Sequence, residues 1–310
     1  MIAHWDDVDD RTIERGHLRA TWTRLGEAIG SRGVGLRRIR VAPGGWSTPA
    51  HVHGAEEEIV YVLAGGGLSW QDGATYRIGP GDCLVHLPEG AAHTLTGGDG
   101  GLDVLFFGTR ARDAATLLPR AGVMWLGARW VAAGADPEPW DREVEAGPPP
   151  LTEPAARPPS IVHAADAPTF FEGQVRALGR AAGAERTGLN LVTLAPGREG
   201  APPHCHSAEE EIFVILEGTA TLVLTPSPAR RAAGVADASH DLRAGHVVSR
   251  PPGTGIAHHL VAGPDGVTYL AYGTRETSDM TYYPRSNKFF LRGIGLIGRV
   301  EALDFMDGET

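Results

Sequence analysis

Two stretches concentrate side chains that could ligate a metal. In the first, His51-Val52-His53 is followed by Glu56-Glu57-Glu58; in the second, His204-Cys205-His206 is followed by Glu209-Glu210-Glu211, at a constant offset of 153. A further histidine stands behind a Pro/Gly turn in each half, His93 and His258, now at an offset of 165. On a β-strand, side chains two apart share a face, so each His-x-His aims two imidazoles at one point. Each acidic triplet runs into alternating apolar residues, which read as a second strand delivering one carboxylate. Strand parity favours Glu58 and Glu211 for that role; Glu57 and Glu210 would point to the opposite face. Three imidazoles and a carboxylate fill four positions of an octahedron and leave two for water, substrate or oxygen. Such a mixed set suits Fe(II), Mn, Zn, Ni, Co or Cu. A lone His-x-His is more often a surface or core pair than a ligand set; here both copies keep all four ligand types.

The elements that must carry these residues are short strands. They are expected at 34–41, 48–53, 58–63, 83–87, from His93 onward, and at 102–107. A hairpin across Asp72-Gly73 joins 68–70 to 75–78, and Gly65-Gly66-Gly67 is expected to stop the strand before it. The charged residues 1–34 offer a short helix around 21–29. Closely spaced strands of this kind imply a sandwich or barrel. Prolines crowd 131–160, which reads as a semi-rigid linker, and the second half repeats the first. The division expected is therefore 1–147, a linker at 148–162, and 163–310. The extra residues of the second copy fall mostly at 227–238, a hairpin tip. The apolar segments 118–130 and 283–300 extend beyond each barrel and are expected to pack across a domain or subunit interface.

Composition narrows the partners. The 310 residues carry a net charge of −10 with no block of like charges, which argues against nucleic acid and anionic membrane. Forty-two glycines and 23 prolines suit turns between strands rather than long helices. The two cysteines, Cys83 and Cys205, form no disulfide framework, and the start lacks a signal-peptide pattern. A soluble cytoplasmic protein is expected, with a small-molecule substrate and a possible homodimer.

With these residues in place, the chain resembles the cupin superfamily, specifically the bicupins. Gly45, His51, His53, Glu58 and Gly65 fill the family's first motif; the second copy has Arg198 for the first glycine but keeps His204, His206, Glu211 and Gly218. Gly81, Pro88, Gly90 and His93 fill the second motif with one extra residue, and Gly245, Pro252, Gly255 and His258 fill it more loosely. The resemblance implies an all-β fold of two tandem double-stranded β-helix (jelly-roll) barrels with a metal inside each. Oxalate decarboxylase-like bicupins carry an Arg three residues before the first ligand, where this chain has Thr48 and Ala201; gentisate dioxygenase-like ones lack the Glu ligand. What remains implies a metal-dependent enzyme, with an Fe(II) dioxygenase favoured and Glu58 or Glu211 doubling as base. The alternatives are a non-redox isomerase, epimerase or decarboxylase using Mn, Zn or Ni, and a non-catalytic binding bicupin.

Other residues carry less weight. Val60 and Phe213 share parity with the glutamates and either line the pockets or pack the core. Arg40 and Asn190 are weaker pocket candidates. His86 and His259 lie near the third ligands with supporting or surface roles, and both cysteines read as packed thiols. All seven tryptophans precede residue 141, so the halves differ in pocket or interface. Phe213 and the longer hairpin suggest that the second site is the more enclosed.

Overall fold

A computed structural model describes residues 1–310 except 112–113, 127–128, 133–138, 302, 304–305 and 310. The two halves build two jelly-roll barrels on one plan. In the first, the strands Asp82–His86, Glu58–Gln71, His93–Thr109, Val34–Val41, Leu18–Thr23 and Asp10–Arg15 pair antiparallel in that order. The second repeats this with His246–Arg250, Glu211–Pro226, Ile256–Thr274, Thr187–Leu194, Val175–Arg176 and Thr169–Phe170. Among the described residues no helix is long and apolar enough to cross a membrane.

The strand Val34–Val41 falls where its β-branched alternation places it. The expected helix is real only over Leu25–Ala28; the charged segment before it forms a hairpin, Asp10–Arg15 with Leu18–Thr23. Nor do the glycines stop the next strand. It runs from Glu58 to Gln71 through register shifts between Val62/Ala64 and Gly65/Gly67. Gly65 holds φ +75°, and a Cβ there would lie 2.3 Å from the Gly101 carbonyl oxygen. The glycine thus permits a bulge that bends the strand from one side of the barrel to the other. Gly218 repeats this at φ +71°.

Of the segments 118–130 and 283–300, expected at a domain or subunit interface, the described residues (127–128 lie outside them) continue sheets that begin on their own barrels. Ala115–Leu118 pairs with Val52–His53, and Met280–Tyr283 with Cys205–His206. The proline-rich stretch runs along barrel one: Ala155 N–H donates to Thr75 O at 2.9 Å, and Arg157 forks onto Asp82.

Each large sheet also takes an edge strand from the other half of the chain. Ile2–His4 pairs with His246–Arg250 of barrel two, and Ile161–His163 pairs with Asp82–His86 of barrel one. Between the barrels lies one shared core, in which Ile59, Leu36 and Phe107 pack with Leu189, Ile212 and Tyr272. Phe107 and Tyr272 hold equivalent positions and stack at 5.0 Å between ring centroids.

Candidate metal centres

The ligand histidines are placed by the backbone. In barrel one, His51 and His93 exchange two backbone hydrogen bonds, of 3.1 and 3.0 Å; in barrel two, His204 and His258 do so at 3.2 and 2.9 Å. The third histidine is thus fixed against the first by a bridge spanning dozens of residues. Ring orientation follows from short local bonds. His51 Nδ1 donates to Pro49 O at 2.9 Å, His93 Nδ1 to Ala91 O at 3.1 Å, and His204 Nδ1 to Pro202 O at 2.7 Å. A proton on Nδ1 leaves the Nε2 lone pair free to face the centre.

Those nitrogens converge on the carboxylates. Glu58 lies 3.2 Å from His93 Nε2 and 3.6 Å from His53 Nε2. Glu211 Oε2 lies 2.8 Å from His258 Nε2, 3.3 Å from His206 Nε2 and 3.5 Å from His204 Nε2. The donor atoms of His51, His53, Glu58 and His93 all fall within 4.8 Å of one another, as do those of His204, His206 and Glu211. His53 Nε2, His206 Nε2, His258 Nε2 and Glu211 Oε2 are buried without a hydrogen-bond partner. Buried polar atoms left unpaired are costly, and a divalent cation held by these N and O donors would satisfy them all. The residues fit the group.

The electrostatics fit as well. Burial disfavours charge on His53, but Glu56 and Glu58 overcome it and raise the imidazole to about 9. Burial likewise opposes charge on His206, and Asp279 and Glu211 raise it to about 10. His51 is lowered to about 3 by burial and the neighbouring His93 and His53; His258 is lowered to about 4 chiefly by burial. Despite burial, the surrounding imidazoles hold Glu58 and Glu211 well below the usual carboxylate range. Each centre therefore attracts positive charge while keeping one histidine neutral.

Asp279, Tyr283 and Arg250 are not among the residues singled out from the sequence, whereas His86 is. Asp279 Oδ2 accepts from His206 Nδ1 at 2.7 Å, and Asp279 is buried. Its counterpart in barrel one is Ala114, and His53 Nδ1 has Thr116 Oγ1 and Glu56 only at 3.5 Å. Tyr283 stacks on His204 at 5.8 Å. Across the strand from Glu58 stands His86, its ring 3.7 Å from His93 and parallel to within 2°. The same place beside Glu211 holds Arg250.

The barrels differ most in their interiors. Barrel two encloses a cavity of about 330 Å³, with His204, Glu211 and His258 at one end and Phe213, Tyr269 and Leu260 on its wall. A second opening, lined by His206, Tyr283 and Arg292, reaches the same Glu211. The matching opening of barrel one is a polar recess of about 110 Å³ beside Glu58, Arg37 and Arg110. The interior behind it is packed: Trp22, Trp46 and Trp70 are buried, and Trp140 lies 5.7 Å from Trp22. Barrel two thus holds the roomier interior, with Phe213 on its wall.

Of the remaining candidates, Phe213 stands on the cavity wall and Val60 is buried in the barrel-one core. Asn190 lines both openings of barrel two, whereas Arg40 is half-exposed and pairs with Asp10. His259 reaches the cavity rim near Glu199. Cys83 and Cys205 are buried free thiols, pushed up by burial.

No curated protein matches the sequence. Among solved structures, the chain is similar to oxalate decarboxylase from Bacillus subtilis at pH 4.6, with 15% identity and a TM-score of 0.59 over 88% of this chain and 75% of that one. It is also similar to the formate complex of oxalate decarboxylase from Lactobacillus farciminis, with 16% identity and a TM-score of 0.60 over 90% and 87%. A further structure of the B. subtilis enzyme, with 16% identity and a TM-score of 0.59 over 90% and 78%, is described by its Mn(II) centres. At these identities the likeness bears on the fold. The Cupin domain family matches the sequence twice, over residues 37–106 and 190–266, and each match spans the stretch from the strand before His-x-His to the strand beyond the third histidine. Two such matches on two tandem jelly-roll barrels, each with its own histidine and glutamate cluster, make the chain a bicupin of the cupin superfamily.

Proposed function

We propose that the chain is a divalent-metal-dependent enzyme that works in barrel two, on a small organic acid, without net oxidation: a decarboxylase or an isomerase. The observation that carries this reading is the meeting of three histidines and the cavity at Glu211. The reading stands ahead of the Fe(II) dioxygenase expected from the sequence. The similar structures are described as decarboxylases, one by its Mn(II) centres, and nothing in the donor set favours iron. Oxalate itself is the weaker substrate, because Ala201 lines the cavity where oxalate decarboxylase-like bicupins carry an arginine.

His204, His206, His258 and Glu211 would hold the cation; Mn(II) is the first choice, and it supplies Lewis-acid stabilisation of negative charge on a substrate oxygen. The chain's own residues do the rest. Asn190, beside Glu211 on the cavity wall, orients the acid head through its amide. Phe213, Tyr269 and Leu260 exclude water from the reacting carbon. All three histidine contacts of Glu211 go to Oε2, so Oε1 is the atom placed to take a proton from substrate or return one.

The test is elemental analysis of protein purified without chelator, followed by turnover with oxygen excluded. Manganese, zinc or nickel near one or two equivalents with undiminished anaerobic turnover supports the reading. Iron with stoichiometric oxygen uptake replaces it by the dioxygenase. Bound metal with no turnover of any acid leaves a binding protein.

A further inference from the structure

The barrels share a backbone plan and differ in what fills it. At two wall positions barrel one carries Trp22 and Phe106, both buried; the matching residues of barrel two are Val175 and Ala271, and both face its cavity. The exchange runs both ways: barrel two has Phe213 and Tyr269 where barrel one has Val60 and Val104, so its aromatics stand at other points of the wall, and the space beside Val175 and Ala271 belongs to a cavity of about 330 Å³. The wall is apolar, built from Val192, Leu194, Leu260, Phe213 and Tyr269, and the described lining includes no lysine or arginine. Glu211, His204, His258 and Asn190 form its polar end, and Gln174 and His259 are the other polar side chains of the lining. A pocket with an apolar wall and one polar end selects a ligand built the same way. A small dianion would leave the wall bare and find no side-chain cation in the cavity.

The wall also favours a ring. Phe213 and Tyr269 lie edge to face at 6.1 Å, and Phe213 stands 5.4 Å from His258, so an aromatic body entering here meets ring faces and edges near the metal ligands. Phe171 lines the cavity with its side chain exposed; it is 77% accessible and holds φ 51°, a conformation uncommon for a bulky residue.

We infer that barrel two takes a monoanionic carboxylic or 2-oxo acid with an aromatic body, its acid head at the Glu211 end and its ring against Phe213 and Tyr269. This rests on the proposed reading of barrel two as the working centre. Barrel one, filled by its own aromatics, takes no such ligand.

The experiment is calorimetric titration with phenylpyruvate and pyruvate, which share a head and differ in the ring, on metal-free and Mn(II)-loaded protein. Burying the ring should make phenylpyruvate bind tighter by about 10- to 100-fold in both forms. Ala271→Phe and Val175→Trp each restore the residue barrel one already uses. Each should cut the preference to within about threefold, leaving metal content and pyruvate binding unchanged. Circular dichroism identifies a variant that fails to fold, in which case the other decides. Equal binding of the two acids by the native protein overturns the inference, as does a preference that survives in a folded variant. A ring preference without turnover of any acid would leave the ligand class standing and remove the proposed reaction. Turnover of pyruvate with no ring preference would do the opposite.

Discussion

Glu57 and Glu210 occupy the same place in the two repeats, and each gives its carboxylate to a turn of the other barrel. Glu57 accepts from the backbone amides of Glu185, Arg186 and Thr187 at 2.7, 3.0 and 2.9 Å, and from the Thr187 hydroxyl. Glu210 accepts from the amides of Arg32 and Gly33, the latter at 2.6 Å, and from the Ser249 hydroxyl at 3.1 Å. Both are buried. Within one Glu-Glu-Glu triplet, the last carboxylate thus serves the candidate metal centre while its neighbour, on the opposite face of the strand, locks the barrels together.

Removing either lock leaves several backbone amides and a buried donor, Thr187 in one case and the Ser249 hydroxyl in the other, without their acceptor. Glu57→Ala and Glu210→Ala should each lower stability by roughly 3–5 kcal/mol, since an unmet buried donor costs more than a hydrogen bond contributes. Urea denaturation reads this as a lower midpoint. A loss under about 1 kcal/mol in both variants would mean that water replaces the carboxylate at these turns.

The two centres should bind metal unequally. Asp279 holds His206 by a 2.7 Å bond to Nδ1, whereas among the described residues of barrel one His53 Nδ1 has Thr116 and Glu56 at 3.5 Å. A carboxylate behind a ligand histidine fixes its orientation and strengthens its donor nitrogen. Asp279→Asn keeps a carbonyl oxygen for the Ala208 amide, which donates to Asp279 at 2.9 Å, but removes the charge. It should weaken the tighter site by about 10- to 100-fold and leave the weaker one unmoved. Metal titration with two resolved affinities checks this; an unchanged tight site would deny Asp279 the role.

How much of this the sequence reveals depends on the range of the interaction. His-x-His with an acidic strand behind it reads locally, because parity on a strand fixes which side chains share a face. The strand 34–41 reads from its own alternation. Asp279 does not, being 73 residues from His206 with no motif between them. The hairpin at Asp10–Arg15 is hidden because an edge strand can carry Asp10, Arg11, Glu14 and Arg15 toward solvent. The tryptophans are visible as a bias toward the first half, yet a Trp in a strand reads alike whether it lines a pocket or fills one. The exchanged strands do leave a trace. Ile2-Ala3-His4 and Ile161-Val162-His163 each precede a 3₁₀ turn, and each histidine accepts a backbone amide through Nδ1. Their offset of 159 fits neither 153 nor 165, so they escape a search at those spacings.

Metal uptake should release protons and strengthen with pH. His53 at about 9 and His206 at about 10 stand above the ordinary 6.5, held up by their carboxylates against burial. In metal-free protein each charged imidazole stabilises the fold fully below pH 6.5, and that contribution is lost as pH rises through about 9 to 10. A cation must displace that proton, so apparent affinity should rise about tenfold per pH unit between 7 and 9 for each proton released. Calorimetry in two buffers of different ionisation enthalpy counts the protons. No release would mean that both imidazoles are already neutral before metal arrives.

The strand exchange predicts that damage at the chain's beginning appears in barrel two. Ala3 pairs with Val247, and the strand Ile2–His4 covers the edge of His246–Arg250, which in turn pairs with Glu211. Ala3→Pro removes an N–H from this edge and fixes a backbone angle unsuited to it. Hydrogen exchange should quicken at the amides of Val247, Val248 and Ser249, and also at the strand from Glu211, while the amides of Asp82–His86 in barrel one keep their protection. Metal affinity of the centre at Glu211 should fall in step. Faster exchange in barrel one instead would show that the N-terminal strand supports the barrel that follows it in sequence, and that its pairing with barrel two contributes little.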